Sequence, residues 1–221
     1  MTDSYPIPLR ETRAEIMVEN SRFIATIAPA FSVEEARQFI ARIKAEFKDA
    51  THNVPAFIIG HGASVITHSH DDGEPSGTAG RPALAVLTGS GLGDAVVVVT
   101  RYFGGIKLGT GGLVRAYSDA VRQVLQVLPR ARKMETHIAM IAVPYAWFQR
   151  LRQLVAGHSG EVIDESFAAD VTLTLRFPVD RFQPFQEALR EASAGSLQAE
   201  IIETREMIVP IDASENRPSQ P

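Results

Sequence analysis

The sequence predicts an α+β protein of two domains, and three observations lead to this fold class. A helical pattern of apolar residues over 113–128 stops at Pro129, before a basic stretch that we interpret as a linker. Residues 95–99 are one alanine and four valines, as in a strand buried on both faces. The second half has the element order β-α-β-β-α-β. We therefore expect domains at residues 1–129 and 130–211.

The elements of the first domain follow from apolar alternation and capping signals. Apolar runs at 14–18 and 23–28 predict a hairpin. Ser32 and Glu35 have the spacing of a capping box, so we expect a helix there, with one apolar face formed by Phe39, Ile40, Ile43 and Phe47. Two strand-like runs follow at 56–59 and 63–67, with a turn at Gly-His-Gly between them. The domain is completed by a short apolar segment at 82–87, a central strand at 95–99 and a long helix at 113–128.

The second domain has a topology that the sequence predicts directly. In chain order we expect a strand at 137–143, a helix carrying Trp147 and Leu151, strands at 161–166 and 171–177, a helix capped by Asp180 and ending at Gly195, and a strand at 197–209. This order is the ferredoxin-like split motif. The last ten residues, 212–221, are polar and contain two prolines, which is typical of a disordered tail.

The composition excludes several classes of protein. The longest apolar run has six residues, at 138–143, whereas a membrane-spanning helix needs about 20. The chain has no cysteine, so disulfides, thiolate zinc sites and a cysteine nucleophile are ruled out. Its beginning lacks a basic segment followed by an apolar one, so we expect no secretory signal, no membrane association and a cytoplasmic location.

Two loops rich in glycine, at residues 68–82 and 100–118, are the candidate functional segments. Gly104 and Gly109 have Walker-A spacing, but the Lys-Ser/Thr pair is missing, and neither a dinucleotide fingerprint nor a nucleophile elbow is complete. Glycines at the start of the long helix would expose backbone amides to an anion. We therefore predict an anion, RNA or partner surface formed by Arg81, Arg101, Lys107, Gly109, Gly111, Gly112 and Arg115.

The acidic and histidine residues of the first loop allow two further interpretations. His68, His70, Asp71 and Asp72 form the strongest metal candidate, but such clusters are common in solvated loops, and we assign no metal or other cofactor. Asp72 and Glu74 could act as an acid/base pair or form a structural salt bridge with Arg81 or Arg101; we favour the structural role and assign no catalytic residue.

The net charge conceals an uneven distribution. The whole chain carries −4, yet residues 78–133 contain eight basic residues against Asp94 and Asp119 and therefore carry +6. If several of these cations share a face, a phosphate backbone or an acidic protein surface is the natural partner.

The two loops also resemble the signature of a known family. The segments DGEPSGTAGRP at 72–82 and RYFGGIKLGTGGLVRAY at 101–117 resemble those of the IMPACT family, in its bacterial YigZ-like branch. Shorter matches at 21–23, 50–52 and 195–198 extend the resemblance over nearly the whole chain, and Val54-Pro55 departs from the family pattern.

The resemblance implies both a fold and a context. It implies an N-terminal domain of the ribosomal-protein-S5-domain-2-like type and a ferredoxin-like C-terminal domain, as in a translocation elongation factor. Eukaryotic relatives regulate a translation-control kinase pathway by binding a partner protein, and bacterial members are linked with RNA, ribosomes or translation factors. The family supplies no catalytic residues.

Three functions remain open from the sequence. The first is a non-enzymatic, translation-associated regulator or binding protein that engages RNA or a ribosome-associated protein through the basic, glycine-rich surface. The second is an enzyme that acts on a small phosphorylated or carboxylated substrate in a cleft between the two loops. The third is a regulator that binds only protein. The oligomeric state is not predicted.

Overall fold

The computed structural model describes residues 4–62 and 64–211 and divides into two compact units. The first unit contains residues 5–132 and 209–211, and the second contains residue 4 and residues 133–208. Both units combine helices with antiparallel strands, so the predicted two-domain α+β class is confirmed. The segment 212–221, predicted as a tail, lies outside the described residues.

The first unit is built on one five-stranded sheet of order β2-β3-β6-β4-β5, in which all neighbours are antiparallel. Its elements are β1 (Tyr5–Pro8), β2 (Thr12–Val18), β3 (Ser21–Pro29), α1 (Val33–Glu46), β4 (His52–Ile59), β5 (Ile66–Ser69), α2 (Gly80–Gly89), β6 (Ala95–Tyr102) and α3 (Gly109–Val127). The predicted hairpin is β2–β3, with Thr12 opposite Ile27.

The central position of β6 explains its run of valines. Val97 and Val99 face the main core, which α2 and α3 cover, whereas Val96 faces a smaller cluster under α1. Because both faces of β6 are buried, the strand shows no polar alternation. Helix α1 begins as predicted, since the Ser32 Oγ accepts a hydrogen bond from the N–H of Glu35 at 3.1 Å.

Helix α2 differs from the prediction, which assigned no structure type to the apolar segment 82–87. Pro82 occupies the first turn, where a missing N–H carries no penalty. No local side chain caps the helix. Instead Asp71, eight and nine residues upstream, accepts hydrogen bonds from the N–H groups of Ala79 and Gly80, at 3.1 and 2.8 Å. Because the capping residue is eight to nine positions away, the sequence next to α2 contains no capping motif that would predict where the helix begins.

The second sheet has five strands: β7, β9 and β8 are neighbours in that order, and β1 and β10 both pair with β7. The strands β10-β7-β9-β8 follow the ferredoxin-like order, with α4 and α5 packed on them. The elements of the second half are β7 (Arg130–Val143), a 3-10 turn (Tyr145–Trp147), α4 (Phe148–Gly157), β8 (Glu161–Phe167), β9 (Val171–Pro178), α5 (Val179–Ala192) and β10 (Glu200–Pro210). The first three residues of β7, 130–132, and the last two of β10, 209–210, belong to the first unit.

Two predictions near these elements need correction. Residues 130–133, predicted as a linker, begin β7, and Asp180 lies in the first turn of α5 rather than at its cap. Within the described residues, no helix has both the length and the apolar character needed to cross a bilayer.

Candidate functional site

The first glycine-rich loop connects β5 to α2, and Asp71 fixes its course. One carboxylate oxygen accepts from the N–H groups of Ala79 and Gly80, and the other accepts from the N–H of Gly77 at 2.8 Å. Burial raises the pKa of Asp71, but these three backbone hydrogen bonds outweigh it and hold the pKa below its ordinary value. The ionised carboxylate therefore belongs to the helix start and is engaged by the backbone.

Asp72, the next residue, ties the loop to α1 and β4. Its carboxylate accepts from Lys44 Nζ at 2.5 Å and from the N–H of Asn53 at 2.7 Å. Burial raises the pKa of the Asp72 carboxyl, but the Lys44 ammonium and the Asn53 N–H lower it by more. The pKa therefore lies below its ordinary value. The Asp72 carbonyl lies 2.7 Å from His52 Nδ1. Because a carbonyl only accepts, His52 carries its proton on Nδ1 in this contact.

Glu74 is the point at which the two loops meet. Its Oε1 accepts from Arg101 Nη1 at 2.6 Å and from the Tyr117 hydroxyl at 2.8 Å. His52 Nε2 lies 3.8 Å from the same oxygen. Glu74 is 8% exposed, Arg101 is 5% exposed and Tyr117 is fully buried. We call Glu74, Arg101 and Tyr117 the Glu74 cluster.

Aromatic rings enclose the cationic side of this cluster. The Arg101 guanidinium carbon lies 5.3 Å from the ring centroid of Phe23 and 5.5 Å from that of Phe103. The Phe23 and Tyr117 rings meet edge to face at 5.2 Å. Burial, and then the negative charge of Glu74, raise the pKa of the Tyr117 hydroxyl far above its ordinary value, so it remains a hydrogen-bond donor.

Arg101 therefore does not lie where a surface cation would. The sequence predicts Arg101 within a binding surface, but the structure places it in a buried ion pair with Glu74. The predicted alternative in which Glu74 forms a salt bridge with Arg101 corresponds to the observed contact. Asp72 instead contacts Lys44, a residue that carried no signal in the sequence.

The second loop is anchored at its base by a close backbone approach. Gly104 donates its N–H to Ser21 Oγ at 3.1 Å. A Cβ at Gly104 would lie 2.1 Å from the carbonyl oxygen of Asn20 and 2.5 Å from the nitrogen of Ser21. Only glycine fits there, and the loop is held against the turn between β2 and β3.

Beyond this anchor the loop opens to solvent, where α3 begins. Lys107 and Arg115 are exposed, and neither has a hydrogen bond or ion pair within the described part of the chain. Gly109 has a φ of +68°, a left-handed conformation that favours glycine. The first turn of α3 has no acidic residue and no side-chain cap. We call Lys107, Gly109, Gly111 and Arg115 the loop surface.

The remaining predicted residues lie in different surroundings. Gly112 is partly buried, and a Cβ there would be 3.0 Å from the Cβ of Leu108. Arg81 is exposed on α2 and lines a groove between α2 and α3. Gly111 and Arg115 are four residues apart on α3, so they share one face of the helix.

The histidine cluster of the first loop does not assemble as a metal site in the structure. Across residues 4–62 and 64–211, no group of three or more histidines and carboxylates is arranged to hold a metal ion. His70 Nδ1 accepts from the N–H of Asp72 at 2.9 Å, and the His68 ring lies 5.3 Å from that of Phe57. The carboxylates of Asp71 and Asp72 are occupied by the hydrogen bonds described above.

Tyr117 and His52 belong to the site, although the sequence does not predict them there. Tyr117 ends the segment 101–117 and lies on the buried face of α3, where a hydroxyl needs a polar partner; that requirement is the signal that points to it. His52 had no partner nearby in the sequence, because β4 brings it beside residues 72–74 only in the folded chain.

Two family models match the chain, the Impact N-terminal domain over residues 19–125 and a domain of unknown function, DUF1949, over residues 141–196. Full-length bacterial relatives are similar throughout. The Escherichia coli "IMPACT family member YigZ" is 38% identical over 202 residues, which is 91% of this chain and 99% of the relative. An "IMPACT family member" of Haemophilus influenzae is 36% identical over 203 residues, covering 91% of this chain and 98% of the relative.

A solved structure described as a hypothetical protein superposes with a TM-score of 0.60 at 37% identity. The match covers 92% of this chain and 99% of that one. A eukaryotic match is shorter: the "Protein IMPACT homolog" of Schizosaccharomyces pombe is 31% identical over 122 residues, which is 53% of this chain and 43% of the relative.

Proposed function

The chain belongs to the IMPACT family, and from that premise we propose that it acts in translation as a non-enzymatic binding protein that holds RNA on the loop surface. The single observation that carries this proposal is the start of α3. Two exposed cations, Lys107 and Arg115, flank an acid-free and uncapped helix start, and neither has a partner within the described residues. The translational context comes from the family resemblance, because eukaryotic relatives regulate a translation-control kinase pathway.

The chemistry of the loop surface suits phosphate oxygens. The first N–H groups of a helix lack partners inside the helix and carry partial positive charge, so they attract anions. Gly111 has open space where a Cβ would stand, which lets a phosphate approach the backbone. Lys107 and Arg115 add two charges from the side chains.

Exposed apolar side chains beside these cations favour RNA with unpaired bases. Phe103 and Ile106 are each 46% exposed, in the same loop as Lys107. Single-stranded RNA is commonly bound by stacking bases on aromatic rings while cations contact the backbone. Together with Phe103 and Ile106, the loop surface offers both kinds of contact within a short segment.

The enzymatic alternative receives less support from the geometry. Glu74 is buried between Arg101 and Tyr117, and Asp72 accepts from Lys44 and from a backbone N–H. A general acid or base must reach a substrate proton. Carboxylates already engaged in this way fit a scaffold that holds the second loop in place.

Fluorescence anisotropy with a labelled single-stranded RNA, measured across a salt series, tests the proposal. We expect affinity at about 50 mM salt that falls steeply by about 200 mM. The double variant Lys107→Gln/Arg115→Gln should weaken binding and reduce the salt slope by about 1.4, since each contact to single-stranded nucleic acid contributes about 0.7. The matched control is Arg37→Gln/Lys48→Gln, which removes two exposed cations elsewhere in the same unit.

Two results would contradict RNA binding at this surface. One is an absence of affinity at low salt; the other is equal weakening by the test and control pairs. If the pair at 107 and 115 instead abolishes capture of a protein from nuclease-treated lysate while RNA affinity stays unchanged, the loop surface binds protein and the RNA proposal is wrong.

A further inference from the structure

A second surface of the first unit runs along helices α2 and α3, and its lining includes none of the four residues of the loop surface. Helices α2 and α3 border an open groove of about 990 Å³. This volume falls within the range of small-molecule sites. Its lining combines apolar and basic side chains, and the residues that matter here are Pro82, Ala85, Val86, Val114, Leu125 and Arg130.

The spacing of the lining residues shows that each helix contributes one continuous stripe. On α3, Val114, Ser118, Arg122 and Leu125 follow at intervals of three or four residues. The stripe from Val114 to Gln126 extends about 18 Å along the helix, at about 1.5 Å per residue. The groove is therefore elongated and its walls are mostly apolar.

The charge of the groove is one-sided. Among the described residues, three arginines line it, Arg81, Arg122 and Arg130, and none of the lining residues is acidic. Arg122 pairs with Asp119 on the exposed side of α3, at 2.7 Å. Arg81 is exposed and has no ion pair with any residue that the structure describes. The groove thus complements a negatively charged ligand.

Arg130 is the most informative of the three. It is 9% exposed, and its Nε is buried without a hydrogen-bond acceptor anywhere in the described residues. Burial lowers the pKa of Arg130, and no carboxylate among the described residues offsets this effect. A buried cation without a counter-charge destabilises a folded protein, and guanidinium groups bind carboxylates and phosphates in a planar fork. An anion in the groove would satisfy this side chain.

We propose that the α2–α3 groove is a binding site for a small amphipathic anion, whose acidic head pairs with Arg130 and whose apolar body lies along Pro82, Val86, Val114 and Leu125. The described residues of the lining include no aromatic one, so they provide no ring on which a nucleotide base could stack. Inorganic phosphate would leave the apolar walls uncovered. This site is separate from the loop surface and does not depend on RNA binding.

Isothermal titration of the full chain with decanoate tests the proposal, with 1-decanol and inorganic phosphate as probes of each half of the ligand. We expect saturable 1:1 binding of decanoate, and affinity at least about tenfold lower for either half-probe. Arg130→Met should weaken decanoate binding about tenfold or more, while Arg37→Met, which removes an exposed arginine outside the groove, should leave it unchanged.

Arg130 is the first residue of β7, so its replacement could disturb the fold there. A second variant tests the groove without changing β7. Ala85 is exposed in the groove wall, so Ala85→Glu adds a carboxylate there without disturbing the core. It should also weaken decanoate binding, whereas Ala41→Glu on α1 should not. The proposal is overturned if decanoate does not bind, if both groove variants bind it as tightly as the unmodified protein, or if phosphate alone binds as tightly as decanoate.

Discussion

Replacing Glu74 with glutamine tests whether the Glu74 cluster holds the two loops together. Glutamine keeps the size of the side chain and can still accept from Arg101 and Tyr117, so the substitution removes mainly the negative charge. Arg101 then remains 5% exposed, packed between two aromatic rings and without an ionic partner. Its Nε already lacks an acceptor among the described residues.

The expected loss follows from the burial of both partners. Removing one member of a buried ion pair destabilises a protein by about 3–5 kcal/mol. Because glutamine preserves the hydrogen bonds, we expect the lower end, about 3 kcal/mol, and a Tm lower by about 10 °C. Glu74→Ala should cost more, since it also leaves the Tyr117 hydroxyl without its acceptor.

A closely matched control is present in the same sheet. Glu15 and Arg22 form an ion pair at 2.7 Å whose side chains are 44% and 49% exposed. Solvent screens such a pair, so Glu15→Gln should change stability by less than about 1 kcal/mol.

Urea unfolding followed by far-UV circular dichroism, with hydrogen exchange at the amides of β6, measures the loss in the first unit. The single tryptophan, Trp147, lies in the second unit, and its fluorescence reports on that unit separately. If Glu74→Gln loses no more stability than Glu15→Gln, the cluster does not stabilise the site. A loss that is unchanged in Glu74→Gln/Arg101→Met would also refute the reasoning, since that pair leaves no buried charge.

Three further predictions concern single side chains of the site. Folding lowers the pKa of Asp72, so its ionised carboxylate stabilises the fold above the unfolded pKa of about 3.9, and this stabilisation is lost as the pH falls through the folded pKa. The urea midpoint should therefore fall less steeply between about pH 5 and pH 3 in Asp72→Asn than in the unmodified protein. Tyr117→Phe removes one hydrogen bond to a carboxylate and should lower the free energy of unfolding by about 2 kcal/mol in the same assay; no change would contradict the hydrogen bond. Gly104→Ala should destabilise by about 1–3 kcal/mol, whereas Gly111→Ala should stabilise by about 0.5–1 kcal/mol, as measured by calorimetric Tm; equal effects would contradict the glycine geometry.

Elements with a local cause could be predicted from the sequence. The central valine strand follows from its own composition, and α1 follows from Ser32, which caps it from an adjacent position. Helix α2 could not be predicted in the same way, because Asp71 caps it from across a loop. Secondary structure can be predicted from the sequence where the stabilising contact is short-range. It cannot be predicted in this way where the contact comes from a residue distant in the sequence.

The same distinction applies to the charges of the site. Arg101 and Lys107 lie six residues apart in one glycine-rich segment, and the sequence treats them alike. Folding places β6 at the centre of the sheet, so Arg101 at its end is enclosed and needs Glu74, whereas Lys107 lies beyond the strand and stays in solvent. A count of basic residues cannot distinguish a buried ion-pair partner from an exposed surface cation, because the order of the strands in the sheet determines which residues are buried.

The glycines of the second loop separate into those that the fold requires and one that it does not. Gly104 is required by a backbone oxygen 2.1 Å from any Cβ, and Gly109 has a φ of +68°. Gly111 has neither reason: nothing lies within 4 Å of its would-be Cβ and its φ is ordinary, while glycine in a helix weakens it by about 0.5–1 kcal/mol relative to alanine. A residue that lowers stability without a packing reason is expected where a ligand must approach the backbone. Gly111→Ala should therefore raise Tm and weaken RNA binding together, and a variant that raises Tm with RNA affinity intact would remove Gly111 from the loop surface.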